Sequence, residues 1–187
     1  MRKALLIVAS VGALAAAPAA TVAARPAVSL KAGVTVTIEG QDCGQTAFKK
    51  VTTTKTVANG VFSVAVKPTI NTTYRATIKG ATSPNAAVTV RPLVVLKKVA
   101  AGRFSATVSA AQSFAGKYVL FQRKGATRWT TVKKVVLKVS TGVSPPTMNT
   151  SATFRARIKA RLRVRALLIQ SQAGTCYAAA SSKSIRS

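Results

Sequence analysis

Two cysteines, two carboxylates and one run of alternating cations are the residues of this chain that can do chemistry. Residues 155–170 read RARIKARLRVRALLIQ, with Arg155, Arg157, Lys159, Arg161, Arg163 and Arg165 at every second position. Such a stripe can grip a polyanion, or it can be the wet face of an ordinary element. The carboxylates, Glu39 and Asp42, lie three residues apart on one short segment. A glycosidase pair needs carboxyl groups facing each other across a substrate, and one turn does not provide that. There is no His, so an imidazole base and an imidazole metal ligand are both missing. No Ser is followed three residues later by Lys, the spacing of one nucleophile motif. No Gly-x-Gly-x-x-Gly or Gly-Lys-Ser/Thr phosphate loop occurs. Two Cys, no His and two acids fall short of the usual four metal ligands. An enzyme, a cofactor and a metal are therefore not expected.

The period of the stripe says which element carries it. On a helix the six cations would spread around the circumference; on a strand they share one face. Ala156, Ile158, Leu162, Val164 and Ala166 then form the buried face, and the Arg side chains point to solvent. A turn near Lys159-Ala160 makes the stripe two strands. The same alternation recurs in GVTVTIEG (33–40), VFSVAVK (61–67) and TYRATIK (73–79). Turn signals separate these runs: Asn59-Gly60, Ser83-Pro84-Asn85, Gly102, Gly116, Gly125 and Pro145-Pro146. The chain reads as all-β.

The N-terminus has the layout of a secretory signal peptide. Met1-Arg2-Lys3 is a positive start, residues 4–17 are apolar, and small residues follow Pro18 up to Ala24. Cleavage is expected after Ala24, with Ala19 and Ala20 as alternatives. The apolar run is shorter than the roughly 20 residues that span a bilayer, which argues against an uncleaved anchor. The remaining chain, 25–187, carries a net charge of +25, since Arg2 and Lys3 leave a total of +27. An imbalance of that size attracts polyanions through a field that salt screens.

The two halves repeat. Ala32-Gly33 returns as Ala115-Gly116, Lys49-Lys50-Val51 as Lys133-Lys134-Val135, Phe62-x-Val64-x-Val66 as Phe154-x-Ala156-x-Ile158, and the Tyr74 to Ile78 strand as Val164 to Leu168. The loop 140–151 absorbs the wider spacing of the later matches. With Gln122-Arg123, Trp129 and Val132 in RWTTV, and Gly60-x-Phe62, this pattern resembles the tandem immunoglobulin-like or fibronectin-III-like domains of secreted proteins from high-GC Gram-positive bacteria. That resemblance implies two tandem immunoglobulin-like β-sandwiches. The division is a signal peptide over 1–24, a truncated β domain over 25–91 and a full sandwich over 92–187. The second would have strands near 93–98, 103–109, 117–124, 129–139, 152–158, 162–170 and 179–186. Trp129 and Phe154 are expected in its core, the alternative for Trp129 being an exposed ring in a sugar-binding patch. The first domain lacks the residues for its first strand and most of its second. Strand 61–67 should then be covered by Ala27 to Leu30 or pair with another chain. Tyr74 stands where such sandwiches place a corner tyrosine.

Cys43 and Cys176 would lie on loops that face each other across the domain junction, so an interdomain disulfide is expected in an oxidising compartment, the alternative being two free or intermolecularly paired thiols. The resemblance carries no catalytic residue. It implies a secreted, non-enzymatic structural, adhesion or polyanion-binding module at the cell envelope or outside the cell, with Arg155, Arg157, Arg161, Arg163 and Arg165 meeting anionic wall polymers. The alternative is a basic nucleic-acid-binding protein, which would want exposed aromatics among the cations.

Overall fold

The computed structural model describes residues 6–10, 20–25, 31–139 and 147–187. Among these, strands dominate; the helices are one short α-helix, α1 (Gln170–Ala173), and one 3-10 turn at Ala58–Gly60. The period-2 patterning thus builds the all-β fold that it predicts. No helix among the described residues is long and apolar enough to cross a membrane. The chain divides into two compact units, Met1–Val90 and Arg91–Ser187.

Unit 1 contains β1 (Leu6–Ser10), β2 (Ala20–Arg25), β3 (Thr35–Asp42), β4 (Lys49–Lys55), β5 (Phe62–Val66), β6 (Thr72–Ile78), β7 (Ala81–Thr82) and β8 (Ala86–Val88). One sheet runs β4-β3-β6-β7, with β8 also on β6; the other runs β1-β2-β5. Alternate residues of β3 and β6 point inward and meet β5: Val36, Ile38, Phe62, Val66, Tyr74, Ala76, Ile78 and Val88 form one core. Gly40 on β3 is a close approach. A Cβ there would lie 2.9 Å from Val51 and 3.1 Å from Tyr74. Burial pushes the Tyr74 phenol above its ordinary pKa, against a hydrogen bond with the Thr72 side chain.

The edge of β5 differs from expectation. The segment Ala27 to Leu30 lies outside the described residues, as do Met1-Arg2-Lys3 and Pro18. The strand against β5 is β2, in antiparallel register from Ala20↔Val66 to Ala24↔Phe62. β1 then pairs with the other side of β2. The first two strand positions of the unit are therefore filled from within residues 1–25. An edge of unpaired backbone N–H and C=O groups is costly when it borders a core, and β2 satisfies it along the full length of β5.

Unit 2 contains β9 (Leu93–Ala100), β10 (Arg103–Ala110), β11 (Tyr118–Lys124), β12 (Trp129–Val136), β13 (Lys138–Val139), β14 (Met148–Arg155), β15 (Arg163–Leu168), β16 (Ala180–Ser181) and β17 (Ile185–Arg186). One sheet is β13-β14-β10-β9; the other is β12-β11-β15-β16, with β17 also on β15. Three rings join the sheets: Phe121 of β11 lies 5.0 Å from both Phe104 of β10 and Phe154 of β14. Trp129, expected beside Phe154, is instead half-buried on the outer side. Tyr177 takes a core place. It is 1% exposed, packs edge-on to Phe114 at 5.8 Å, and hydrogen-bonds the Ala111 backbone.

Strand ends shift for identifiable reasons. The run 152–158 stops at Arg155 because the Ala156 N–H turns to the Gly102 carbonyl and Arg161 adopts a left-handed φ of 67°. The run 179–186 breaks at Ser182, whose buried hydroxyl accepts from the Ala166 N–H and donates to the Lys183 carbonyl. The two cysteines, Cys43 and Cys176, form a disulfide.

The units repeat in hydrogen-bond detail. Gly33 and Gly116 both have positive φ, a conformation that glycine adopts without steric cost. Their N–H groups reach the Thr56 and Leu137 carbonyls, and the return bonds run from Thr56 to Val34 and from Leu137 to Lys117. Ser83 repeats Ser182, accepting from the Ala76 N–H and donating to the Pro84 carbonyl. Each unit has a β-bulge: Val51 is the extra residue between the pairs Ile38↔Thr52 and Glu39↔Lys50, and Val132 between Phe121↔Lys133 and Gln122↔Thr131. Val51 therefore matches Val132, not Val135; the Lys-Lys-Val match seen in sequence is out of step with the ladder.

Candidate functional site

The six cations of the stripe do not share one face. Arg155 ends β14 in one sheet, Arg163 and Arg165 lie on β15 in the other, and Arg157, Lys159 and Arg161 lie on the crossing between them. Arg155, Arg157, Lys159, Arg161 and Arg163 are exposed, and Arg165 is half-buried. Ala156, Val164 and Ala166 are buried on the opposite side. The stripe is thus split over the outer faces of two sheets, because consecutive strands of a sandwich can belong to different layers.

Unit 2 holds 19 of the 29 Lys and Arg residues and neither carboxylate. Its ladders even set like charges opposite each other, Arg103↔Arg155 and Arg163↔Arg186. Such cross-strand pairs are destabilising, and unit 2 has no acid of its own to offset them. Arg103, Arg155, Arg157 and Lys159 also line a shallow cleft between the β9–β10 turn and the end of β14.

Of the six stripe cations Arg165 alone is half-buried rather than exposed. The register sets it beside Gln122 of β11, and Gln122 beside Thr131 of β12. The Arg165 Nε–H donates to Gln122 Oε1 at 2.9 Å, and Gln122 Nε2 donates to Thr131 Oγ1 at 3.3 Å. The guanidinium carbon lies 4.3 Å from the centroid of Trp129, and Lys124 Nζ lies 5.7 Å from the same ring. On the same outer face Lys134 Nζ lies 5.2 Å from the Tyr118 ring. Partial burial lowers the Arg165 pKa from its ordinary value, far too high for the charge to be lost. A cation on an aromatic face is held by the ring quadrupole.

Unit 1 has the same arrangement, with a carboxylate in place of the amide and a phenylalanine in place of the tryptophan. Arg75 Nε–H donates to Glu39 Oε2 at 2.7 Å, and the Arg75 guanidinium carbon lies 4.0 Å from the Phe48 centroid. Glu39, Phe48 and Arg75 occupy the places of Gln122, Trp129 and Arg165. In unit 1 the arginine is neutralised; in unit 2 the same donor is met by an amide. Sequence reasoning singled out Arg165 but missed Gln122. The available signal was the alignment of Glu39 with Gln122 that follows from Ala32-Gly33 and Ala115-Gly116.

The outer face of β12-β11-β15 can therefore hold an anion against arginine and lysine donors seated on aromatic rings. Compared with known proteins, the chain matches no family model and no curated sequence.

Proposed function

We propose that this chain is an exported, non-enzymatic pair of immunoglobulin-like β units that works at the cell envelope or outside the cell by binding polyanions. The observation that carries the proposal is the charge of unit 2, with 19 cations, no carboxylate, and like charges set opposite each other in its ladders. A surface built this way gains most from a partner that brings many negative charges and releases counterions. Anionic wall polymers are such a partner. The signal-like residues 1–24 and the disulfide support an oxidising destination outside the cytoplasm.

The test is salt dependence. Binding to teichoic acid, heparin and DNA should fall steeply and in parallel as salt rises. Replacing Arg161, Arg163 and Arg165 together by Gln should flatten that slope while the thermal melt of unit 2 is retained. Salt-independent binding of one polymer, with the others ignored, would overturn a charge-driven mechanism. Failure to bind any of the three at low salt would remove the function altogether.

A further inference from the structure

The geometry points to one specific anion-binding site, on the outer face of β12-β11-β15, that takes the phosphate groups of an extended polyol-phosphate chain. It rests on the polyanion reading and names where and how that reading is realised.

Three observations locate the site. The first is the difference between the repeats. Arg75 spends its Nε–H on a carboxylate 2.7 Å away, so the pair is neutral and closed. Arg165 spends the same Nε–H on the amide oxygen of Gln122. Its orientation is fixed through the same nitrogen, but its charge is not cancelled. The second is preorganisation. Gln122 is 7% exposed and is itself held by Thr131, and Trp129 lies against the guanidinium. A guanidinium pinned through Nε keeps its two Nη groups for a ligand, the fork that grips a phosphate oxygen pair. The third is the line of charge. Arg163 precedes Arg165 by two residues on the same side of β15, and Lys124 stands on the same ring as Arg165. Alternate strand residues lie about 6.8 Å apart, a repeat that suits successive charges of an extended polymer.

The rings decide between polymer types. A single-stranded nucleic acid gains much of its affinity by stacking bases on bare aromatic faces. Here Trp129 carries Arg165 and Lys124, and Tyr118 carries Lys134. The rings seat cations. The ligand that fits is a phosphodiester backbone without bases.

Trp129 is the only tryptophan in the chain, so its fluorescence reports on this site alone. The full chain is titrated with poly(glycerol phosphate), oligothymidylate and heparin at matched charge and low salt. Binding is followed both by Trp129 emission and by co-sedimentation. Poly(glycerol phosphate) is expected to change the emission and to bind more tightly than oligothymidylate. Gln122→Glu copies unit 1 and should weaken binding about fivefold, the scale of one surface charge contact, and abolish the emission change. Thr153→Glu adds the same charge to the opposite sheet and should cost less than about twofold at that scale. Arg165→Gln serves as the second variant should Gln122→Glu fail to fold, and Glu39→Gln should tighten binding by freeing Arg75. If the polymer co-sediments but Trp129 emission and the affinities of Gln122→Glu and Arg165→Gln are unchanged, this site is wrong and charge-driven binding stands. Tighter, emission-changing binding of oligothymidylate would make the ligand a nucleic acid and overturn the assignment. No co-sedimentation with any polymer defeats both readings.

Discussion

Arg75 and Arg165 stand at matching places in two repeats, lie 4.0 and 4.3 Å from matching rings, and use the same nitrogen to bond β3 and β11 respectively. One faces Glu39, the other Gln122. The backbone plan, the bulge and the ring are kept while the sign of the local field changes. The lesson is that the strand framework of these units sets where a charge is held, and a single side chain decides whether it is spent inside the unit or offered to solvent. At this position the local charge balance turns on one group, an amide in unit 2 where unit 1 has a carboxylate.

The sharpest way to break the comparison concerns the strands at the start of each unit. In unit 2, β9 and β10 are part of the chain beyond residue 91; in unit 1 the corresponding places are taken by β1 and β2. A chain that begins at Arg25, the expected product of signal cleavage after Ala24, loses β1 and five of the six residues of β2. Hydrogen exchange should then show β5 amides between Phe62 and Val66 losing their protection, and unit 1 unfolding well before unit 2. Unchanged protection of β5 would mean that another segment covers it.

A smaller effect separates the cores. Phe121→Ala removes a ring that touches two others and should destabilise unit 2 by about 3–5 kcal/mol, whereas Ile38→Ala, its counterpart, should cost unit 1 about 2–5 kcal/mol. Denaturant melts followed by Trp129 fluorescence would register the first and not the second. A loss of Trp129 signal stability in Ile38→Ala would show that the units do not melt independently. Smaller again is the buried serine. Ser83→Ala and Ser182→Ala each leave a backbone N–H at Ala76 or Ala166 without its partner, at a cost of about 1–3 kcal/mol. Exchange rates at those two amides should rise by similar factors; a difference beyond about tenfold, which is 1.4 kcal/mol, would show that the repeats differ in more than their charge.

How much of this was legible beforehand follows from which interactions are local. Strict alternation in 33–40, 73–79 and 163–168 has a physical cause in the two-residue period of a strand, and those strands form with the expected faces buried. Trp129 was misplaced for an equally physical reason. Counting back by twos from buried Val135 puts Trp129 inside, but the bulge at Val132 shifts the parity by one and turns the ring outward. Tyr177 lies on no strand, so no period could mark it as core. The split of the stripe over two sheets depends on whether β14 and β15 pair with β10 or with β11, a choice made by contacts distant in sequence. The same non-local register pairs Gln122 with Arg165, which is why the residue that tunes the site was harder to see than the cations themselves.

The facing arginines, Arg103 with Arg155 and Arg163 with Arg186, have a thermodynamic consequence. Unit 2 folds against its own repulsion, so anything that screens or matches those charges enters its folding equilibrium as a ligand. A polyanion at a hundred times its dissociation constant would add about 2.7 kcal/mol to the stability of the folded state. For a unit that binds such a polymer, binding and folding would be two readings of one free energy, and its stability would be greatest where the polymer is most concentrated.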